Sequence, residues 1–231
     1  LTLRGPLALA GIGNAEANRL YGNPANNALR GEAGDDRLYG RDGSDYLSGD
    51  AGNDVLAGAD GDDHLVGGLG NDRLFGHAGD DTLAGGAGDD LLDGGLGSDE
   101  YRFGTGDGSD RIRNAVDAHA PGDVDRLVFT DGVDAQDIWF SRAGNDLLAQ
   151  LVRSEDQVRV RGWFSDPSAR IDHMSTTAGE HIAADQLDRL VHALAAFNVE
   201  NAARLELSPK EQADYAGIVA AHWQPATAAV A

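Results

Sequence analysis

The stretch that decides the fold is Gly67–Phe75, GGLGNDRLF, which places three glycines and an Asn-Asp pair ahead of the leucine at its eighth position. Sliding the sequence along itself by nine residues brings seven more copies into frame without an insertion, from GEAGDDRLY at Gly31 to GGLGSDEYR at Gly94. Two further copies, GNAEANRLY and GNPANNALR, precede them and keep the leucine. This regularity predicts a repeat architecture in which each unit stacks on its neighbours.

The eighth position of the unit is apolar, and its two neighbours are mostly polar. Leucine occupies that position from Leu20 to Leu92, and Tyr101 occupies it in the last unit. The glycine-rich residues before it can turn the chain sharply, so the last three residues can extend as a short strand with the leucine on one side. Two units then make a coil of about 18 residues with a strand on each side. We therefore predict a mainly β fold, a parallel β-roll that forms a right-handed β-solenoid.

Aspartate at the sixth position is the second regular feature of the repeat. In coils stacked about 4.8 Å apart these aspartates form two columns, and like charges at that spacing repel one another. A thin row of leucines buries too little area to offset this repulsion and the chain entropy of glycine. A hard divalent cation held by carboxylates and backbone carbonyls would remove the repulsion, and such an all-oxygen site suits Ca²⁺ better than Mg²⁺. The two columns are Asp36, Asp54, Asp72 and Asp90, and Asp45, Asp63, Asp81 and Asp99.

The unit GGxGxDxUx, in which U is a large apolar residue, resembles the nonapeptide of the RTX (repeats-in-toxin, haemolysin-type) family. The resemblance implies that several calcium ions bind between successive turns, with carboxylates from the two columns. Asn18 and Asn27 stand where the motif has aspartate, so we expect weak or absent sites in the first two turns. Second aspartates at the fifth position, such as Asp62 and Asp80, are expected to face solvent. The resemblance also implies carbonyl ligands from turn positions that include Gly34, Gly43, Gly52, Gly61, Gly70, Gly79, Gly88 and Gly97.

The sequence after the repeats loses the regular glycine spacing. The stretch YRFGTGDGSDRI contains a last acidic turn, in which Asp107 and Asp110 either close a terminal calcium site or lie in a solvated loop. Strand-like stretches follow at DRLVFT, DIWFSR, DLLAQLV and QVRVRGWF, and AGND between the second and third is typical of a hairpin turn. Because an open roll end exposes unpaired strand edges, we interpret this block as a cap, as commonly follows RTX repeats.

Two amphipathic helices are predicted at the end of the chain. ADQLDRLVHALAAFN spaces its apolar residues at helical intervals, and SPKE at Ser208–Glu211 is a capping box with proline at the first helical position. From the resemblance, this tail would contain an uncleaved signal for type I export. We divide the chain into an N-terminal strand with degenerate repeats (1–30), the calcium-binding roll (31–112), a β-rich cap (113–180) and a helical tail (181–231).

Charge and composition exclude several classes of partner and site. The chain carries 39 acidic against 18 basic residues, and its net charge of -21 would repel nucleic acid and anionic membranes. It has no cysteine, which excludes disulfides and thiolate metal sites, and no apolar run approaches the ~18 residues of a membrane span. No zinc-protease, nucleophile-elbow or phosphate-loop motif occurs, so we expect no catalytic residues in this stretch, although an enzyme part upstream is compatible with it.

Two classes of function remain. The first is a secreted, monomeric, calcium-responsive folding module in the C-terminal part of a larger bacterial toxin, adhesin or exoenzyme. Its partners would be calcium ions and, from the resemblance, the type I secretion machinery. The second is an extracellular module that recognises a ligand or surface through the outer strand faces. Positions seven and nine lack the regular Thr or Asn ranks of an ice-binding face, which weakens the second class without removing it.

Overall fold

The chain folds into two long sheets that enclose one core, as the repeat predicts. A computed structural model describes residues 1–114, 122–152, 154–196 and 209–225. Within these residues the protein is mainly β, with a parallel β-solenoid of about 6 turns, a strand-rich part after it and two C-terminal helices. The predicted fold class is confirmed.

Successive strands of the repeat region alternate between the two sheets. Sheet 1 has the spatial order first, third, fifth, seventh, ninth, eleventh, thirteenth, seventeenth and eighteenth strand, and sheet 2 runs from the second through the even-numbered strands to the twelfth, then the sixteenth, fifteenth and fourteenth. Each coil therefore contributes one strand to each sheet. In chain order the strands are β1 (Ala10–Ile12), β2 (Arg19–Tyr21), β3 (Ala28–Ala33), β4 (Arg37–Asp42), β5 (Tyr46–Ala51), β6 (Val55–Asp60), β7 (His64–Leu69), β8 (Arg73–Ala78), β9 (Thr82–Ala87), β10 (Leu91–Leu96), β11 (Glu100–Phe103), β12 (Ser109–Ile112), β13 (Arg126–Phe129), β14 (Ile138–Ala143), β15 (Asp146–Leu151), β16 (Gln157–Val160), β17 (His173–Thr176) and β18 (His181–Ala183).

The strands of successive coils pair in parallel, with each residue beside the equivalent residue of the next coil. In sheet 2, Leu38 pairs with Leu56 and Leu56 pairs with Leu74. In sheet 1, Leu47 pairs with Leu65 in the same way. Because neighbouring strands lie about 4.8 Å apart, equivalent side chains form columns along the roll.

The core of the roll is a double ladder of leucines. Every eighth-position leucine from Leu38 to Leu83 has no exposed surface, whereas the positions on either side of it are exposed or half-buried in all but one case. The turns between the strands need glycine at the fourth position. Gly70 has φ +123°, and a Cβ built on it would lie only 2.0 Å from the carbonyl oxygen of Gly52 in the preceding coil. Only glycine therefore permits the coils to approach this closely.

The block after the repeats extends both sheets. β16 pairs with β12 in parallel, and β14, β15 and β16 form an antiparallel meander at the end of sheet 2. β13 and β17 continue sheet 1 in parallel. The four predicted strands are present, and the predicted turn at AGND joins β14 to β15. Aromatic side chains continue the leucine ladder, since Phe129 packs edge-on against Phe103 and Phe140 with ring centroids 6.4 Å apart in each pair.

The two helices, α1 (Ala184–Ala196) and α2 (Pro209–Ala220), dock on this block. Trp163 Nε1 donates a hydrogen bond of 2.8 Å to the Asp188 carboxylate in α1. In α2 the Tyr215 ring stacks on Trp139 with centroids 4.8 Å apart. Ser208 of the predicted capping box lies outside the described residues, as does Phe197 of the first predicted helix. No helix in the described part of the chain is long and apolar enough to cross a membrane.

Two adjacent leucines in β10 test the direction of the side chains. Leu92 is fully buried in the ladder, whereas Leu91 is half-buried on the outer face. We expect Leu92→Ala to lower the free energy of unfolding by about 2 to 5 kcal/mol, because it leaves a cavity in the core. Leu91→Ala removes the same atoms and is expected to cost much less. Equal losses in thermal unfolding with saturating calcium would contradict this assignment of faces.

Candidate metal centre

The sixth-position aspartates form two buried columns, one at each row of turns. In the first column, the Asp54 Oδ1 accepts the backbone N–H of Asp36 at 2.7 Å, and the Asp72 Oδ1 accepts that of Asp54 at 2.7 Å. In the second, the Asp63 Oδ1 accepts the N–H of Asp45, also at 2.7 Å. One carboxylate oxygen of each residue thus aligns neighbouring coils. The predicted aspartates Asp36, Asp45, Asp54, Asp63, Asp72, Asp81, Asp90 and Asp99 are all at most 3% exposed.

The second carboxylate oxygen has no hydrogen-bond donor in most of these residues. A buried carboxylate oxygen without a partner is costly, because it has lost its water and gained nothing in return. The same carboxylate oxygen lacks a donor in one residue after another along both columns. This repetition indicates a site for a positive charge beside these oxygens. The aspartates with a buried Oδ2 of this kind include Asp36, Asp45, Asp54, Asp63, Asp72, Asp81, Asp90 and Asp110.

In five of the eight repeats this oxygen lies beside the first-position glycine of its own unit and a carbonyl of the next coil. A Cβ built on Gly49 would lie 2.2 Å from Asp54 Oδ2 and 2.7 Å from the carbonyl oxygen of Gly67. At Gly67 the corresponding distances are 2.3 Å to Asp72 Oδ2 and 2.4 Å to the Gly85 carbonyl oxygen. Two acceptors therefore converge on one place that no side chain can fill. In the described residues no three His, Asp or Glu side chains converge, so an ion here needs backbone oxygens. This oxygen-only donor set fits Ca²⁺.

Burial raises the pKa of the column carboxylates strongly. Desolvation is the main cause in each case, and neighbouring carboxylates add to it in most of them. The pKa of Asp54 and Asp72 rises to about 6, that of Asp63 to about 7 and that of Asp81 and Asp110 to about 8. A bound cation would counter both causes, because it favours the ionised form.

The predicted carbonyl ligands of the fourth-position glycines lie in the same turns. Their carbonyl groups face the next coil, since a Cβ on Gly52 would lie 2.2 Å from the Gly34 oxygen and one on Gly61 would lie 2.5 Å from the Gly43 oxygen. All eight of these glycines have positive φ, between 101° and 149°. Their role as ligands stays a prediction. The first-position carbonyls of Gly67 and Gly85 share a built Cβ position with an unpartnered carboxylate oxygen, and the sequence pattern alone did not single them out.

Asn18 and Asn27 continue the columns at the N-terminal end with a different bonding pattern. Their backbone N–H groups donate to the Oδ1 atoms of Asp36 and Asp45, both at 2.6 Å. Their side chains bond within their own turns. The Asn18 Oδ1 accepts the N–H of Asn14 at 2.9 Å, and its Nδ2 donates to the Glu16 carbonyl.

Asp107 and Asp110, which the sequence placed in one acidic turn, have separate positions. Asp110 belongs to the first column, because its Oδ1 accepts the N–H of Asp90 at 3.0 Å and it is 1% exposed. Asp107 lies outside the column, and its carboxylate accepts the N–H of Gly104 at 2.6 Å in its own turn. Of these two residues, Asp110 lies in a column of the repeat aspartates and Asp107 does not.

The second column extends beyond the repeats through residues that sequence reasoning missed. The Asp125 Oδ1 accepts the N–H of Asp99 at 2.9 Å, and the Asp172 carboxylate accepts the N–H of Asp125 at 2.9 Å. Asp125 stands 26 residues after Asp99 instead of 18, so no nonapeptide frame finds it. Its place as the first residue of DRLVFT, directly before β13, was the only signal available.

Fifth-position side chains form a further ladder along the outside of the turns. They are exposed, as expected, and they also accept N–H groups from the next coil. The Asp62 Oδ1 accepts the N–H of Asp80 at 3.0 Å, and the Asp80 Oδ1 accepts that of Ser98 at 2.8 Å. Asparagine serves equally well, since the Asn53 Oδ1 accepts the N–H of Asn71 at 2.9 Å. This ladder depends on an acceptor and not on a charge.

Comparison with known proteins points to one repeat family. The RTX calcium-binding nonapeptide repeat matches in four copies, at residues 12–47, 39–74, 66–101 and 75–112. No curated protein matches the chain. Among solved structures, the extracellular lipase LipA from Serratia marcescens matches with a TM-score of 0.28 and 21% identity. The match covers 62% of this chain and 37% of the lipase, so the chain spans little more than a third of that protein.

The raised pKa values predict a pH dependence of the metal-free protein. Unfolded aspartates titrate at about 3.9, so the metal-free roll is most stable below about pH 4 and loses that stability as the pH rises through the folded pKa values. We expect the β-sheet signal in circular dichroism of calcium-stripped protein to be stronger at about pH 5 than at about pH 8. Saturating calcium should remove the difference. Identical spectra of the stripped protein at both values would contradict the prediction.

Proposed function

We propose that the chain folds on calcium binding after export from a bacterial cell. Residues 12–112 match the RTX calcium-binding nonapeptide repeats, and these repeats bind several calcium ions per domain. The repeat region is a structural calcium-binding module and not a catalytic one. The observation that carries the proposal is the row of buried carboxylate oxygens without donors in both columns. They make the metal-free roll costly at neutral pH, so the ion supplies the stability that the leucine ladder lacks.

The calcium gradient across the cell envelope gives this dependence a direction. Sites in the ~10⁻⁴ to 10⁻³ M class of extracellular modules are largely empty inside a cell and filled outside it. A ligand that binds only the folded state shifts the folding equilibrium toward that state, and the shift grows as the free ligand concentration rises above the dissociation constant. The chain would therefore remain extended during export and fold outside. We place it in the C-terminal part of a larger secreted toxin, adhesin or exoenzyme that leaves through a type I exporter.

Matched substitutions in the buried column and the outer ladder test the proposal. Asp72→Asn removes a charge from the middle of the first column, and it should weaken the calcium sites on both sides. Asp80→Asn removes the same charge but keeps the acceptor, at a position where asparagine already occurs in Asn53 and Asn71. In a calcium titration followed by circular dichroism, we expect Asp72→Asn to raise the midpoint at least about threefold and Asp80→Asn to leave it nearly unchanged.

Two outcomes of this titration would count against the proposal. The first is a β-sheet signal in the unmodified protein at neutral pH that survives complete removal of calcium. The second is an equal midpoint for the two variants, which would assign the calcium dependence to overall charge instead of the columns.

A second candidate function, recognition of an acidic polysaccharide, is favoured by the outer face of sheet 2. Exposed arginines recur along this face in an otherwise acidic chain. Arg19 pairs with Arg37, and Arg73 and Arg111 follow on the same row of strand positions with Val55 and Leu91 between them. Aromatic rings lie beside them, with Tyr21 stacked on Tyr39 at 4.9 Å and Arg73 placed over Phe75 at 5.6 Å. Guanidinium groups and aromatic faces are suited to carboxylated or sulfated sugars. The arginines of sheet 2 that have no ion pair among the described residues include Arg19, Arg37, Arg41, Arg73 and Arg111.

Retention on immobilised heparin in saturating calcium tests this second function. We expect the calcium-loaded protein to be retained and the double variant Arg37→Gln/Arg73→Gln to elute at clearly lower salt, because screening weakens exposed charge pairs. Arg30→Gln is the matched control, since Arg30 lies on sheet 1 and is already paired with Asp50. No retention of the unmodified protein, or equal elution of all three proteins, would exclude this function for the face.

A further inference from the structure

The junction between the roll and the following strands contains a buried amide where the repeats have unpartnered oxygens. Asp125 continues the second column through its Oδ1, which accepts the N–H of Asp99. Its Oδ2, in contrast to those of the repeat aspartates, accepts a hydrogen bond of 2.7 Å from Asn114 Nδ2. Asn114 and Asp125 are each 1% exposed. At Asp125 the column therefore has a carboxylate whose second oxygen is satisfied by the protein itself.

The Asn114 amide joins the same two kinds of acceptor that converge in most of the repeats. Its Nδ2 donates to the carboxylate of Asp125 and also to the carbonyl oxygen of Arg170, at 3.0 Å. In the repeats a carboxylate oxygen and a carbonyl oxygen also lie near one place, as at Asp54 and Gly67, although that carbonyl stands five residues before the next column aspartate and Arg170 stands two before Asp172. The two N–H bonds of one amide thus make contacts of the kind that a cation would make in the repeats.

Tyr101 holds this amide in its orientation. It replaces the leucine of the last unit and has no exposed surface. Its hydroxyl donates to Asn114 Oδ1 at 3.0 Å and accepts the N–H of Gly94 at 3.0 Å. The hydrogen bond to Oδ1 fixes which end of the amide faces Asp125, so both Nδ2 hydrogens point at acceptors. Tyr101 is therefore a positioning residue for Asn114.

The N-terminal end of the columns shows a related arrangement. The Nδ2 of Asn27 donates to the carbonyl and side-chain oxygens of Asn23, at 3.3 and 3.1 Å, and that of Asn18 donates to the carbonyl of Glu16. Here too an amide donates to oxygens of a turn, at the position where the repeats have a carboxylate. The start of both columns and the junction at Asp125 thus differ from the middle of the roll in this one respect.

We propose that Asn114 is a built-in substitute for calcium at Asp125 of the second column and keeps the junction folded when no ion is bound. The proposal rests on the proposed function only in taking the middle coils to need calcium. Tyr101, Asn114, Asp125 and Arg170 come from four separate segments, so their contacts hold the last coil to the following strands. This calcium-independent end presents the Asp125 Oδ1 and a formed strand edge to the coil that folds next. At the N-terminal end of the columns, the side-chain amides of Asn18 and Asn27 likewise donate hydrogen bonds to oxygen acceptors.

Hydrogen exchange of the full chain, with and without calcium, tests the assignment. In calcium-free buffer we expect the amides of β13 and β17 to remain protected while those of β4 to β9 exchange freely. Asn114→Asp replaces the donor by a carboxylate next to Asp125, and it should lower the calcium-free protection of the junction at least about tenfold. Calcium should restore that protection. Asn53→Asp is the matched control, because aspartate already fills the same position in Asp35 and Asp62.

A milder variant covers the case in which Asn114→Asp does not fold in either buffer. Tyr101→Phe keeps the ring in the core and removes only the hydroxyl that orients the amide, so it should lower calcium-free protection of the junction by a smaller factor. Tyr39→Phe, on the outer face, should not. Unchanged protection in both junction variants, or an unprotected junction in the unmodified protein without calcium, would overturn the proposal. Protection of β4 to β9 without calcium would instead refute the proposed function and leave the comparison at Asn114 intact.

Discussion

The structure depends on how each sixth-position aspartate divides its two carboxylate oxygens. One oxygen accepts the backbone N–H of the preceding coil and thereby fixes the spacing and register of the stack. In most of them the other is buried and has no donor, and in several it lies beside a carbonyl oxygen. The same side chain therefore aligns the coils and creates the demand for a cation. Alignment and metal dependence are therefore linked in this roll. A neutral side chain at the sixth position could still align the coils, but it would not hold a cation beside the backbone carbonyls.

The leucine ladder buries apolar surface but does little to distinguish one register of the stacked coils from another. Leu38, Leu56 and Leu74 have equivalent surroundings, so a slip of the stack by one whole coil would keep nearly every apolar contact. Registers that are not distinguished by their side chains are prone to slippage. Discrimination comes from the ends, where Tyr101 replaces leucine and Asn114 replaces the ion. The irregular residues thus define where the regular ones begin and stop.

The period of the sequence made the interior of the roll predictable. Once nine residues form one strand and one turn, position eight must point inward and position six must recur in a column, and the burial of Leu74 and Asp72 follows. The same reasoning failed at the junction. Asp125 is out of frame, and the bond between Asn114 and Arg170 joins residues 56 positions apart, so only the path of the chain brings them together. The fifth-position ladder was missed because the direction of a short polar side chain depends on the detailed geometry of its turn.

The 18-residue coil also sets the step by which a protein of this kind can change its length during evolution. Insertion of two nonapeptides adds one strand to each sheet and returns every later residue to the same side. Insertion of a single nonapeptide would move β12 and all that follows it to the opposite sheet. Asn114 would then meet the wrong column, and the aromatic residues that continue the ladder would face another partner. Duplications and deletions that survive in such a lineage should therefore change the number of nonapeptides in pairs.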